Sequence, residues 1–407
     1  MPSAAAVSMS SVAQSFVQTQ EQLMPVEKKN SGLYIGIPRE TTLQENRVAL
    51  IPTSVATLTA RGHRVVIETG AGLPANFTDH EYSEAGAEIA YSAEKVYAAE
   101  IILKVAPPTL DEIDLCHPNQ IIISPLQAPI ITEEYINKMR KKRVTALAME
   151  YIKDEVGSFP IVRIMAEIAG LSSVLTAAEL LSSSRGGIGV LLGGIAGVPP
   201  AKVIILGAGV VAEFATRVAL GLGAEVRIFD NNIYKLMRLQ NQVGRQLFTS
   251  AIDPSVLSRE LTTADVAIGA IHSEKGRAPM IVTDAMVQKM PSGSVIIDVS
   301  IDQGGCFETS RVTTHDRPTF RYHDVIHYCV PNIASRVPRT ASNAVSHIMT
   351  PILLRSEQFN GIHNLLTQSQ GLLNGIYIYK GSLTNRYLSE RFNMRFTSIE
   401  LLITGNI

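Results

Sequence analysis

Short runs of β-branched and aliphatic residues alternate with longer amphipathic segments along this chain. In its first part the runs are LYIGIP, RVVIETG, EIILKVAPP and QIIISP, which begin at Leu33, Arg64, Glu100 and Gln120. Brief apolar runs that end at glycine or proline and are separated by helical spacing are typical of buried parallel strands in βαβ units. The pattern therefore predicts an α/β lobe.

A second series of runs follows a Ser/Gly-rich passage over residues 182–197 and consists of KVIILGAG, EVRIFD, DVAIGA, SVIIDVS and HYCVPN. After it the pattern becomes helical around MTPILL and GIHNLLTQ, and we expect this last segment to cross back and brace the first lobe. The pattern thus predicts four segments, which are a polar extension over 1–30, a first lobe over 31–163, a second lobe over 164–336 and C-terminal helices over 337–407.

Charge and composition narrow the possible partners. The chain has 407 residues and a formal net charge of −1, without the positive field of proteins that bind nucleic acids or anionic membranes. The apolar stretch GIGVLLGGIAGVPPAKVIILGAGVV is interrupted by Pro199, Pro200 and Lys202, which favours two buried segments over a membrane span. We therefore expect no nucleic-acid and no membrane partner.

The cysteines and the N-terminal segment indicate the compartment. Cys116, Cys306 and Cys329 are far apart and form no CxxC pair, which predicts neither a disulfide framework nor a zinc site and suits a reducing environment. The first thirty residues lack the charged start and continuous apolar block of a secretory signal. We expect a cytoplasmic protein.

The clearest chemical motif begins the second lobe. A β-branched strand runs directly into Gly207-x-Gly209-x-x-Ala212, and an amphipathic helix follows. Glycines allow the backbone to turn sharply and approach a pyrophosphate at the helix N-terminus, while a small Ala212 permits close contact between helix and strand. After the next strand comes Asp230, whose carboxylate can bind both ribose hydroxyls and repel a 2′-phosphate. A tight turn alone is the plain alternative, but the order of elements predicts NAD.

Longer motifs extend this interpretation. IGIPRETTLQENRVALIP, GGIGVLLGGIAGVPPAKVIILGAG and IDVSIDQGGCFETSRVTTHDRPTF, with the strand EIILKVAPP, resemble the alanine dehydrogenase family, whose relatives include a transhydrogenase subunit and saccharopine dehydrogenase. The resemblance covers about Leu33 to Phe396. It implies two Rossmann-like, doubly wound α/β domains, with an NAD-binding domain over 164–336 inserted into a split substrate domain. It also implies a homo-oligomer, often a hexamer.

The same resemblance assigns roles to individual residues. Arg47 matches the family arginine that holds the carboxylate of a 2-oxo acid, for which its guanidinium fork is suited. Lys104 matches the lysine that contacts the substrate and polarises its oxygen, and Asp302 the aspartate near the amine or ammonia. Asn332 matches an asparagine beside the nicotinamide. Without the resemblance, Arg47 would be interpreted as a surface charge and Lys104 as an ordinary lysine at a strand end. Asp302 and Asn332 would be interpreted as turn-forming residues.

Two positions depart from the family pattern. Gln127 stands where the family has a catalytic histidine, and a carboxamide cannot titrate, so we expect it only to donate and accept hydrogen bonds. Ala166 stands where alanine dehydrogenases usually have a serine near the cofactor. The proton transfer of the family histidine then needs another group, and the candidates are Lys104, Asp302 and His272.

The expected activity is the reversible, NAD-dependent oxidative deamination of L-alanine to pyruvate and ammonium, with no metal. His323 and His327 are four residues apart, but no third ligand accompanies them. The alternatives are a dehydrogenase for another amino acid or secondary amine, and an NAD(H)-binding homologue that has lost catalysis because of Gln127.

Overall fold

The computed structural model describes residues 32–404 except 43, 129–130 and 274–275, so the predicted extension over 1–30 lies outside the described residues. The strands are β1 (Tyr34–Ile37), β2 (Arg64–Glu68), β3 (Glu88–Ala90), β4 (Ile101–Leu103), β5 (Ile121–Ser124), β6 (Thr145–Ala148), β7 (Lys202–Leu206), β8 (Glu225–Phe229), β9 (Phe248–Ser250), β10 (Val266–Gly269), β11 (Val295–Asp298), β12 (Thr319–Tyr322), β13 (Val325–Tyr328), β14 (Ile376–Tyr379) and β15 (Ser382–Leu383).

The α-helices lie between these strands and after them. They are α1 (Pro52–Ala60), α2 (Asp79–Glu84), α3 (Ala93–Val96), α4 (Leu110–Asp114), α5 (Glu133–Lys141), α6 (Pro160–Leu180), α7 (Val210–Gly221), α8 (Ile233–Val243), α9 (Pro254–Leu261), α10 (Asp284–Val287), α11 (Pro338–Arg355), α12 (Ile362–Gln368), α13 (Gln370–Leu373), α14 (Arg386–Phe392) and α15 (Ile399–Thr404).

Two sheets carry the fold. The first has the order β15-β14-β6-β5-β4-β1-β2-β3 and the second β12-β13-β11-β10-β7-β8-β9. Each apolar run in the sequence lies in or overlaps one of these strands, and those strands pair in parallel with one another. The two predicted α/β lobes are therefore confirmed.

Both faces of each sheet are covered, as a doubly wound fold requires. Successive residues of β7 point to opposite sides, with Val203 and Ile205 in one apolar cluster and Ile204 and Leu206 in another. The first sheet divides its strands between two clusters in the same way. Burial on both faces explains why these strands appear in the sequence as continuous apolar runs.

The C-terminal segment returns to the first sheet through a hairpin as well as helices. β14 pairs antiparallel with β6 and with β15, and the turn between β14 and β15 has positive φ at both Lys380 and Gly381. Such a turn matches the twist of a two-residue hairpin. Our helical interpretation of residues 337–407 missed these strands, because a four-residue buried run has no periodicity of its own.

The long helix α6 leads from the first lobe into the second and contains the predicted boundary at 163/164. By length and composition it could span a membrane, although half of its most apolar window is buried. It packs so closely along α7 that a side chain at Gly170 would meet the carbonyl oxygen of Val211 at 2.5 Å. This packing accounts for the buried apolar side chains of α6.

Candidate active site at the carboxyl edges of the two sheets

The glycine motif forms a sharp turn between β7 and α7. Gly207 has a φ of +110°, and a Cβ there would lie 2.4 Å from the carbonyl oxygen of Ala270, so only glycine fits. Gly209 precedes the first residue of α7, and a Cβ there would meet nothing within 4 Å. The turn therefore leaves open space at the N-terminus of a twelve-residue helix, as a bound pyrophosphate requires.

Asp230 is fixed beside this turn. One oxygen of its carboxylate accepts from the Ala208 N–H and the other from the Asn232 N–H, both at 2.7 Å. Ala212 is fully buried against the strand side of α7. The structure thus brings Gly207, Gly209, Ala212 and Asp230 together at one turn, whereas Ala166 lies on α6. The four residues fit NAD, because the half-buried carboxylate of Asp230 can accept from a ribose.

Arg47 is buried in the first lobe and paired with a residue that our sequence analysis did not select. Its Nε donates to Glu45 Oε1 at 2.7 Å and one terminal nitrogen to Glu45 Oε2 at 2.6 Å. Its other terminal nitrogen lies 3.0 Å from the Met165 sulfur. Burial alone would raise the pKa of Glu45, but the Arg47 cation outweighs it and lowers that pKa. Both side chains are therefore charged at neutral pH.

Lys104 follows β4 and is only 1% exposed. Its Nζ contacts Glu40 Oε2 at 2.8 Å and Glu112 Oε1 at 2.9 Å. Burial lowers the pKa of Lys104, but these two carboxylates outweigh it and raise that pKa, so the ammonium stays charged. Glu40 also accepts from the Val105 N–H at 2.7 Å, which holds this cluster beside Arg47.

Asp302 and Asn332 lie at the carboxyl edge of the second sheet and reach the first lobe. The Asn332 N–H donates to Asp302 Oδ1 at 3.0 Å, and the Asn332 side-chain amide donates to Glu45 at 2.5 Å. Asn332 adopts the left-handed conformation, with a φ of +57°, which asparagine tolerates better than most residues.

Asp302 is exposed to solvent, although protein atoms lie around its carboxylate. This desolvation raises its pKa to about 6, against the lowering effects of the Asn332 N–H and the Arg47 cation. Because the ordinary value for aspartate is about 3.9, Asp302 titrates much nearer to neutrality than an exposed carboxylate.

Gln127 lies just beyond the carboxyl end of β5, on the same sheet edge as Lys104. It has a φ of +51°, its side chain is half-buried, and its N–H donates to Glu150 Oε1 at 3.0 Å. Ala166 is half-buried on α6, next to the Met165 that contacts Arg47. Within the described part of the chain, no hydrogen bond joins Gln127 or Ala166 to the Arg47 cluster.

Sequence reasoning missed the carboxylates that hold the two predicted cations. Glu45 and Arg47 are two residues apart, a spacing that places both side chains on one side of an extended segment. The sequence could therefore have predicted this ion pair. Glu112 forms a capping box with Thr109, whose TxxE spacing is also visible in sequence. Glu40 and Lys104 follow two different strands, β1 and β4, so no pattern of neighbouring residues in the sequence predicts their contact.

The described part of the chain contains no group of three or more metal-ligating side chains. His327 instead contacts Thr309 Oγ1 at 2.8 Å and the Val325 carbonyl at 3.1 Å, and burial lowers its pKa to about 4. His323 contacts Asp284 at 3.0 Å. The two histidines thus have separate structural partners.

Two family models match the chain. The model for the N-terminal domain of alanine dehydrogenase/PNT matches residues 36–169, and the model for the C-terminal domain matches residues 173–386. Alanine dehydrogenase 2 of Staphylococcus aureus strain USA300 is 38% identical over 368 residues, which cover 90% of this chain and 98% of that protein.

Solved structures agree with this match. An L-alanine dehydrogenase aligns with a TM-score of 0.82 and 37% identity, covering 88% of this chain and 99% of its own. A transhydrogenase from Sinorhizobium meliloti aligns with a TM-score of 0.73 and 26% identity, covering 87% and 99%.

Proposed function

Because the chain belongs to the alanine dehydrogenase/PNT family, we propose that it catalyses the reversible, NAD-dependent oxidative deamination of L-alanine to pyruvate and ammonium. One observation carries this proposal. The strand ends that hold Lys104 and Gln127 and those that hold Gly207, Asp302 and Asn332 are all carboxyl ends of parallel strands, the edge at which α/β folds bind ligands.

The two edges also meet. Asn332 of the second lobe contacts Asp302 of its own lobe and Glu45 of the first, so the cluster around Arg47 lies beside the Asp302 carboxylate. Arg47, the cation that we assign to the substrate carboxylate, is therefore close to Asp302, the proton acceptor of this proposal. NAD, bound at the Gly207 turn, would supply the hydride acceptor.

Arg47 and Lys104 are the groups that we assign to the substrate. The terminal nitrogen of Arg47 that now contacts the Met165 sulfur, a weak acceptor, is the one a substrate carboxylate would engage. Two protons of the Lys104 ammonium are directed to Glu40 and Glu112, and the third would polarise the oxo group. Asn332 is the third residue that we assign to substrate binding, after Arg47 and Lys104.

Asp302 is the group that we assign to proton transfer in place of the family histidine. Oxidation of the amine gives an imine, and a water molecule must lose a proton to attack it. A carboxylate with a pKa of about 6 can accept that proton near neutrality and return it in the reverse reaction. Gln127 then has only a hydrogen-bonding role, and Ala166 would border the cofactor without a polar contact.

The test is NADH formation with a panel of amino acids, together with calorimetric titration of NADH and pyruvate. Alanine turnover supports the proposal. Turnover of another amine alone would assign a different substrate, and tight NADH binding without any turnover would identify a catalytically silent homologue. No binding of either redox form would refute the proposal.

We also infer that the protein is a cytoplasmic homo-oligomer, a hexamer by its resemblance. Leu191, Ile195 and Val198 are 69%, 63% and 56% exposed; Ile195 and Val198 pair in a β-bridge, and Leu191 and Leu222 line one surface pocket. Exposed apolar side chains concentrated in one short segment favour a second copy of the chain as its partner. The three unpaired, buried cysteines suit a reducing compartment. Light scattering of wild-type protein and of Leu191→Glu would test the interface.

A further inference from the structure

The segment over residues 45–51, which carries Arg47, lies in neither a helix nor a strand. Most of it is buried, so its backbone N–H groups need partners other than those of regular secondary structure. Three of these partners are serine hydroxyls on the turn over Ile333–Arg336 and on α11, and all three serines are fully buried. They accept from Asn46, Val48 and Ile51, through Ser335 Oγ at 2.9 Å, Ser342 Oγ at 2.9 Å and Ser346 Oγ at 3.1 Å. A row of hydroxyls thus fixes the backbone on both sides of Arg47.

Ser335 differs from the other two serines because its hydroxyl also reaches the partner of Arg47. Its Oγ lies 3.2 Å from Glu45 Oε1 and 3.2 Å from the Gln44 carbonyl oxygen, and it can donate its one proton to either. Glu45 Oε1 is the same oxygen that accepts from the Arg47 Nε at 2.7 Å and from the Arg47 backbone N–H at 2.9 Å. One serine therefore contacts both the backbone and the carboxylate that hold the arginine.

The turn that carries Ser335 directly follows Asn332, and the Ser335 N–H donates to the Asn332 carbonyl oxygen at 2.9 Å. The second lobe therefore contacts Glu45 Oε2 through the Asn332 side chain and Glu45 Oε1 through Ser335. Arg47 contacts the same two oxygens from the first lobe. The Glu45 carboxylate is thus held between the two lobes, with contacts on both oxygens that fix its direction.

We propose that Ser335 is a positioning residue, which holds Glu45 and thereby directs Arg47 towards the substrate carboxylate. This inference rests on the proposed alanine dehydrogenase activity. Without the hydroxyl, the Asn46 N–H loses its acceptor and Glu45 Oε1 loses a donor, while the contacts within the Glu45–Arg47 pair remain. The pair can then move as a unit, and a small displacement of the guanidinium is enough to weaken its contact with a substrate carboxylate.

The experiment compares the wild-type protein with Ser335→Ala, Ser335→Thr and the control Ser346→Ala. Ser346 is a matched control because it is equally buried and accepts from a backbone N–H of the same segment. Its hydroxyl donates to Ser54 Oγ at 2.7 Å and, in the described part of the chain, forms no hydrogen bond with Glu45 or Arg47. Both alanine variants remove a single oxygen atom. The measured quantities are kcat, KM for pyruvate, the dissociation constant of NADH and the urea concentration at half-unfolding.

Both alanine variants should lower the urea midpoint, because each leaves a backbone N–H without its acceptor. Only Ser335→Ala should also raise KM for pyruvate, roughly tenfold, because the displaced Arg47 binds the substrate and not the nucleotide. Its kcat should stay within about threefold of the wild type and its NADH affinity within about twofold. Ser335→Thr keeps a hydroxyl that can make the same contacts, so its KM should lie within about threefold of the wild type even where the added methyl group lowers the urea midpoint.

If KM for pyruvate is the same in Ser335→Ala and Ser346→Ala, the inference is wrong and the proposed function is unaffected. An equally raised KM in Ser335→Ala and a folded Ser335→Thr would also overturn it, because the hydroxyl would then not be the group that acts. Loss of NADH binding in Ser335→Ala would contradict the inference as well, since it would indicate a general structural role. A wild-type protein that oxidises no alanine would instead refute the proposed function, and this inference with it. The two alanine variants carry the test if Ser335→Thr does not fold.

Discussion

Glu45 and Arg47 form a buried, bidentate ion pair, with N–O distances of 2.7 and 2.6 Å, at the point where the first lobe contacts Asn332 of the second. The arginine is thus held by a carboxylate of its own lobe. A buried charge that loses its partner is strongly destabilising, so this pair links the proposed substrate site to the stability of the fold.

Arg47→Met should destabilise the protein by roughly 3–5 kcal/mol, because it leaves the Glu45 carboxylate buried without its cation. Pyruvate binding should be lost in the same variant. The double substitution Glu45→Gln with Arg47→Met should regain most of the stability but none of the pyruvate binding. Urea unfolding and KM for pyruvate measure the two effects. Equal pyruvate binding in wild type and double variant would show that Arg47 does not hold the substrate.

Substitution of Gly209 should reduce NADH affinity, whereas substitution of Gly207 should reduce the stability of the protein. Gly209→Val enters open space, so the protein should fold normally while NADH affinity falls by at least about a hundredfold, since the side chain occupies the pyrophosphate position. Gly207→Ala meets the Ala270 carbonyl at 2.4 Å from a strained backbone and should reduce stability itself. Thermal unfolding and NADH titration separate these results. Unchanged NADH affinity in Gly209→Val would place the nucleotide elsewhere.

Asp230→Asn should relax the preference for NAD over NADP. The amide can no longer repel a 2′-phosphate, and it accepts more weakly from ribose hydroxyls and from the Ala208 N–H. The ratio of kcat/KM for the two nucleotides should change by at least about tenfold, corresponding to about 1.4 kcal/mol. Asp253→Asn, in an exposed helix cap of the same lobe, is the control and should leave the ratio as in the wild type.

The pH dependence of alanine oxidation should follow Asp302. Its pKa of about 6 means that the carboxyl group is protonated below pH 6 and cannot accept a proton from water, so kcat should fall there. Asp302→Asn should lower kcat by roughly 10²–10⁴-fold and remove this part of the acidic decline. A variant that keeps both the rate and the profile would contradict the assignment of Asp302 to proton transfer.

Gln127→His restores the family residue and tests whether another proton route exists. If Asp302 carries the proton, this substitution should change alanine turnover only a few-fold, on the order of 1 kcal/mol or less. Because histidine also tolerates the left-handed backbone at this position, a structural failure is not expected. A hundredfold gain would instead show that the native protein lacks effective proton transfer.

The sequence by itself determined the strands that lie in the nine apolar runs, and the glycine turn, but not the C-terminal hairpin of β14 and β15. Apolar runs that are buried on both faces must be strands, and a strand followed by Gly207, Gly209 and Ala212 has few other local solutions. Because these are short-range constraints, they can be recognised without knowing the fold. The same holds for the Thr109–Glu112 capping box, although its connection with Lys104 was not visible.

The tertiary structure decided which charges meet. Glu40 and Lys104 are separated by sixty-four positions, and Asn332 and Glu45 come from different lobes. Only long-range packing brings the members of each pair together. The raised pKa of Asp302 has the same origin, since desolvation depends on every atom around a group rather than on its neighbours in the chain. The residue types thus indicate the kind of chemistry, whereas long-range contacts determine the protonation states of the side chains involved.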